Sequence, residues 1–156
     1  MSSTHFDLVS HWQLQAPPER VWSALVDPQG WPSWWPCVRA VQVLRPGDAQ
    51  GLGSVRRIHW RTRLPYDIVI DVEAVEVLRH ERIRARSCGE LRGEGLWLLR
   101  GAGGRTEVTY VWRVELVKPW MRRLAPLLAP VFRWNHDGVM RAGAAGLARH
   151  LAQTQD

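Results

Sequence analysis

Between Phe6 and Leu14 the chain alternates: Phe6, Leu8, Ser10, Trp12 and Leu14 fall on one side, Asp7, Val9, His11 and Gln13 on the other. That two-residue period predicts a strand. Ala16-Pro17-Pro18-Glu19-Arg20 then opens a helix, because proline and glutamate both suit a first helical turn. Val21, Trp22, Leu25 and Val26 form its apolar stripe, and Asp27-Pro28 stops it. Gly30-Trp31-Pro32-Ser33-Trp34-Trp35-Pro36 follows as a second, very short helix or turn. From Val38 the period returns to two, with strands expected at 38–45, 53–63, 65–78, 81–88, 91–100 and 105–117. The punctuation is Pro46-Gly47-Asp48, Leu64-Pro65, Arg79-His80-Glu81, Gly89 and Gly101-Ala102-Gly103-Gly104. Lys118-Pro119 closes the series, and 120–153 reads as one long helix that Pro126 and Pro130 should kink or interrupt early.

Short connections between successive strands favour an antiparallel meander. The order predicts an α+β architecture: a curved antiparallel sheet of about seven strands wrapped around a long C-terminal helix, with two short helices after the first strand. One irregularity is expected within the strand 65–78. Even-numbered positions face inward through Val72 and Ala74, yet Val75 and Val77 are apolar while Glu76 is charged. A β-bulge between Glu73 and Val75 restores the inward face.

The length of 156 residues fits a single domain, 1–156, with enough chain to bury a core. Net charge is +6, carried almost wholly by arginine, which raises the question of a nucleic-acid partner. The placement of the charges argues against one. Arg57, Arg61 and Arg63 lie on one strand and Arg82, Arg84 and Arg86 on another, with Asp67, Asp71 and Glu73 on the strand between. Neighbouring strands would set an acidic stripe between two basic ones, so opposite charges meet across the sheet exterior.

Metal and cofactor chemistry find no support. The six histidines (His5, His11, His59, His80, His136, His150) form no tight ligand pair, and Cys37 and Cys88 have no CxxC partner. Nucleophile elbow, P-loop and dinucleotide fingerprint are all missing, and Gly101-Ala102-Gly103-Gly104-Arg105 joins two strands as a hairpin turn. No signal pattern or membrane-length apolar run is visible, and the sparse cysteines suit a reducing cytoplasm.

The element order, with Ala16-Pro17-Pro18-Glu19-Arg20-Val21-Trp22, Trp34-Trp35-Pro36, Leu64-Pro65-Tyr66 and 89–97, resembles the START/Bet v 1-like (SRPBCC) superfamily. Thr106 through Trp112 and Trp134 through Met140 extend the likeness over nearly the whole chain, which is similar to the bacterial polyketide cyclase/dehydrase-like group. The resemblance implies a helix-grip fold with a cavity between sheet and C-terminal helix that takes an apolar or aromatic small molecule, lipid- or polyketide-like. It implies no one chemistry, since fold does not fix function. In this frame the tryptophan-proline segment plugs one end of the cavity.

Within that frame, alternation names the lining: Ile58 and Trp60; Tyr66, Ile68 and Ile70; Trp97 beside Gly93 and Gly95; Tyr110 and Trp112. On the long helix Phe132, His136, Val139, Gly143, Leu147 and His150 share one face, while Arg133, Asp137 and Arg141 share another. His136 thus enters the apolar stripe, either as a core histidine whose ring nitrogens are satisfied by backbone, water or a tyrosine, or as a polar anchor or proton carrier for a ligand. In the second case a ring nitrogen is expected to face free volume shared with Trp97, Tyr110 or Trp112. Three readings stay open. A binding protein leads. A cyclase or dehydratase would use His136 and Tyr110 as acid and base, with Glu90 a remoter candidate. A lipid-transfer protein would rest 120–134, basic and flanked by Trp120 and Trp134, on an anionic membrane surface. Against this last, its prolines break the stripe and its apolar residues are expected to cover the sheet.

Overall fold

The computed structural model describes residues 5–65, 67–89 and 91–153, so Tyr66 and Glu90 lie outside the described residues. Seven strands form one antiparallel sheet: β1 (His5–Leu14), β2 (Val38–Arg45), β3 (Val55–Trp60), β4 (Ile68–Leu78), β5 (Arg82–Gly89), β6 (Leu91–Ala102) and β7 (Arg105–Leu116). Their order is β1-β7-β6-β5-β4-β3-β2, each pairing antiparallel with its neighbour. Helix α1 (Pro18–Leu25) and a 3-10 helix (Pro28–Ser33) separate β1 from β2. The C-terminal region forms α2 (Pro119–Arg123) and the long α3 (Ala125–Gln153). This is the expected α+β helix-grip architecture.

Several boundaries differ from the sequence pattern. The strand expected at 53–63 ends at Trp60, leaving Arg61 and Arg63 beyond it. Three other differences have a local reason. The expected strand 53–63 begins at Val55, since Gly53 adopts the left-handed region at φ +81°. The expected strand 65–78 begins at Ile68. Pro65 has no N–H to give a ladder, and the Leu64 N–H is taken by the Thr62 hydroxyl at 3.2 Å, so a turn forms there. The expected single helix 120–153 breaks at Leu124, whose carbonyl accepts from both Leu127 and Leu128. Pro126 then occupies the first turn of α3, where a missing N–H costs nothing, and Pro130 is accommodated inside the helix.

The bulge in β4 is present. Ala74 pairs with Ala85 and Glu76 with Arg84, leaving Val75 as the extra residue. Across the outer face the charges meet as their register requires. Arg57 donates twice to Asp71, at 2.8 and 3.0 Å, which holds that carboxyl below its ordinary range. Arg82 and Arg84 converge on Glu76 at 3.1 and 3.5 Å.

The tryptophan-proline segment fixes α3 in place. Trp35, 1% exposed, donates its indole N–H to the Val139 carbonyl at 2.9 Å. Its ring occupies the space above Gly143, where an added Cβ would lie 2.5 Å away. One turn further, the Trp34 carbonyl sits directly against Gly146. Trp35 also packs edge-on against Trp12 and Trp60, and stacks on Trp34. Arg20 of α1 donates to the Leu151 carbonyl and ties down the far end of the helix.

This packing makes a coupled prediction. Trp35→Ala should lower the unfolding free energy by about 3–5 kcal/mol, the cost of emptying a buried aromatic site. Gly143→Ala should cost about 1–3 kcal/mol by overpacking in the native background. Made together with Trp35→Ala, it should cost nothing further, because the clashing ring is gone. Urea denaturation of the four proteins measures this, and strict additivity would disprove the contact.

Candidate functional site

The buried apolar side chains form two clusters rather than one. The larger gathers Trp12, Trp31, Trp34, Trp35, Ile58, Trp97 and Leu147 around the tryptophan-proline segment. The smaller joins Phe6, Leu8, Val114, Leu116, Met121 and Ala125 at the other end of the sheet. A cavity of about 150 Å³ lies between them, lined by residues of both. Small side chains keep it open. Ala85 of β5 pairs directly with Gly95 of β6, and both line the space. A side chain at Gly95 would strike the Tyr110 hydroxyl at 2.7 Å, so this glycine lets the tyrosine lie flat across the floor.

The structure brings the expected lining residues together. Ile58 and Trp60 of β3, Ile68 and Ile70 of β4, Trp97 of β6, Tyr110 and Trp112 of β7, and Phe132, His136 and Val139 of α3 all line this one cavity. Tyr66, also expected there, falls outside the described residues. Among the lining residues that sequence reasoning missed are Phe6 and Leu8, Ala85 and Ser87, and Asn135. The strand periods of β1 and β5 carried that signal for the first four. Trp31 and Trp35 plug the cavity end as expected and also line the cavity, while Trp34 only backs them.

Along one wall four rings run nearly parallel. Trp97 stacks on Tyr110 at 4.2 Å between centroids, Tyr110 on His136 at 6.5 Å, and His136 on Trp112 at 5.2 Å. The first pair follows from register, since Trp97 and Tyr110 are direct cross-strand partners. Trp112 lies two residues further along the same face of β7, and α3 lowers His136 onto it.

His136 is buried, and neither ring nitrogen has a partner among the described residues. Both nitrogens are covered, so the expectation that one would face free volume does not hold: the ring turns its flat face to Trp112 instead. Burial lowers the imidazole to about 4, with the Asp137 carboxylate offsetting part of that shift. Burial likewise pushes the Tyr110 phenol up. At neutral pH both groups are uncharged. The Ser87 hydroxyl, also buried, has no partner among the described residues either.

No Asp, Glu, Lys or Arg lines the cavity among the described residues. Nor do three or more His, Cys, Asp or Glu side chains gather there or elsewhere among them in a way that could hold a metal. Cys37 and Cys88 are both free thiols. No helix among the described residues is long and apolar enough to cross a membrane.

The family model described as polyketide cyclase / dehydrase and lipid transport matches residues 6–152. The chain belongs to that family. Solved structures of similar fold include a START superfamily protein from Mycobacterium smegmatis, 14% identical with a TM-score of 0.79 over 96% of this chain and 99% of that one. The Zhui aromatase/cyclase from Streptomyces sp. R1128 is 16% identical, with a TM-score of 0.75 over 96% and 97%. A protein from Thermus thermophilus is 21% identical, with a TM-score of 0.74 over 96% and 100%. Among curated proteins none matches the chain. At these identities the family's shared property is the grip of sheet on helix, and the site must be argued from its own side chains.

The buried imidazole predicts a pH dependence of stability. Well above about pH 6.5 it is neutral in both folded and unfolded chains and contributes no slope. As pH falls, the unfolded chain takes up a proton that the folded chain refuses until about pH 4, so stability drops through that window. The drop is on the order of 1 kcal/mol per pH unit. Urea titrations at pH 7 and pH 5 should show this loss in the native protein and its absence in His136→Phe; equal slopes would mean the ring is not shielded.

Proposed function

We propose that this protein binds an uncharged, apolar or aromatic small molecule in the cavity between sheet and α3. One observation carries the reading: the space is lined without a single charged side chain among the described residues, and two lining residues, His136 and Ser87, keep buried polar atoms that have no partner among those residues. An unpaired buried donor or acceptor costs about 1–3 kcal/mol, which a ligand hydroxyl or carbonyl can relieve. His136 and Ser87 are the places where it would do so, with the imidazole turning out of its stack to meet the ligand. The row of parallel rings offers a flat face to an aromatic guest.

The volume limits the guest. About 150 Å³ suits one or two fused rings rather than an extended polyketide chain, unless the walls move apart. A cyclase or dehydratase using His136 and Tyr110 is the alternative that the family description invites. It meets a chemical objection: an imidazole lowered to about 4 is a weak base at neutral pH, and a phenol with a raised pKa is a reluctant acid. As hydrogen-bonding groups for a neutral ligand, the same two side chains are well suited.

Titration with naphthalene and 2-naphthol, followed by tryptophan fluorescence, tests this. Both should bind saturably, and Ala85→Phe should abolish binding of both by filling the cavity while the fold survives. His136→Phe should weaken 2-naphthol by about 5- to 100-fold and leave naphthalene nearly unchanged, the signature of one lost hydrogen bond. Non-saturable binding, or binding untouched by Ala85→Phe, would refute the cavity reading.

A further inference from the structure

The segment expected to cover the sheet does so with only one of its apolar faces. Trp120, Leu124, Leu127, Val131 and Trp134 recur at steps of four, three, four and three. Leu127 is 75% exposed and the other four between 40% and 49%. Beneath them only Met121 and Ala125 are buried, with Ala129 and Phe132 packed partly against the smaller cluster. The outward stripe is therefore left over after the core has been closed. Five large apolar side chains at helical spacing on one stretch of surface exceed the scattered exposure normal for a monomer.

We infer that this face docks on an anionic lipid surface. Charge selects that occupant. Residues 118–136 contain Lys118, Arg122, Arg123 and Arg133 and no aspartate or glutamate; Asp137 follows just beyond. Arg63 adds a cation from the preceding loop, its guanidinium 5.3 Å from the Trp134 ring, and Arg133 lies over Phe6 at 5.9 Å. Two copies paired through the same stripe would set these arginines against one another, whereas anionic headgroups complement them. Tryptophan near each end suits the boundary between headgroups and acyl chains, and the two helices would lie flat in that plane.

The stripe also borders the cavity's entrance. Thr62 and Leu64, in the loop before β4, and Phe132 and Asn135 of α3 are partly exposed lining residues, and the contact of Arg63 with Trp134 joins those two segments at the surface. Arg63 sits between Thr62 and Leu64, and Trp134 between the neighbouring α3 residues. Docking thus places the mouth against the lipid, where an apolar ligand is concentrated. Delivery into the cavity rests on the binding reading above; docking does not.

Sedimentation of the full chain with vesicles tests the docking. The chain should bind phosphatidylcholine vesicles containing phosphatidylglycerol and not phosphatidylcholine alone. Binding should weaken by roughly tenfold or more in Leu127→Glu and on raising salt. Leu52→Glu, at an exposed leucine in the β2–β3 connection away from the stripe, should bind as the native protein does. Circular dichroism checks that both variants are folded. Failure to bind anionic vesicles at low salt, or binding indifferent to Leu127→Glu, overturns the inference. So does a native dimer that Leu127→Glu dissociates in the ultracentrifuge without any vesicle binding, which would give the stripe to a second copy. Naphthalene titration without vesicles probes the cavity by itself, so docking and ligand binding can fail independently.

Discussion

The indole of Trp35, seated in the gap above Gly143 and bonded to the Val139 carbonyl, sets the height of α3 over the sheet. A helix resting directly on a sheet interdigitates with it and leaves little volume between. Here the helix rests at one end on a tryptophan stack, in which Trp35 meets Trp12, Trp60 and Trp97. At the other end Phe132 meets Phe6 edge-on at 5.7 Å. Between these supports the strands present Ala85, Ser87 and Gly95, too short to reach the helix. The cavity is the consequence: large residues at two ends, small ones in the middle.

The same arrangement separates charge from the site. The chain carries 21 basic and 15 acidic residues, yet the strands turn them outward, where Arg57 meets Asp71 and Arg82 and Arg84 meet Glu76. Exposed pairs of this kind contribute little stability each. Their effect is on location, because every arginine matched on the convex face is one kept from the concave face. The interior then stays at low polarity, which is what drives the His136 imidazole to its neutral form.

Much of this was legible in the chain. Period-two alternation placed Ile58, Ile70, Trp97 and Tyr110 on the concave face, because a strand leaves a side chain only two directions. The bulge at Val75 was legible for the same reason: Glu76 would otherwise point into the core. What the pattern hid was whatever depends on a local hydrogen bond or on a neighbour distant in sequence. The Thr62 hydroxyl that ends the turn before β4, and the break at Leu124, are of the first kind. The ring orientation of His136 is of the second, since Trp112 fixes it from another element. The stripe from Trp120 to Trp134 misled for a different reason: periodicity shows that a helix has an apolar face without showing what that face meets.

The unequal use of apolar residues along α3 follows from the geometry of the grip. Beyond His136 the helix lies close to the tryptophan stack, and its small residues, Gly143 and Gly146, are the contact surface. Before His136 it must span the open end of the cavity, where the sheet offers only the smaller cluster to cover. A helix needs one buried stripe to be held, and Ala125, Ala129 and Phe132 supply it there. The leucines and the valine on the opposite side lie outside that buried stripe, and exposing them costs solubility. Met121 shows that the segment can bury a long side chain when the core has room for one. Folding alone thus accounts for the closed half of α3, whereas the half beside the smaller cluster keeps Leu124, Leu127 and Val131 in water.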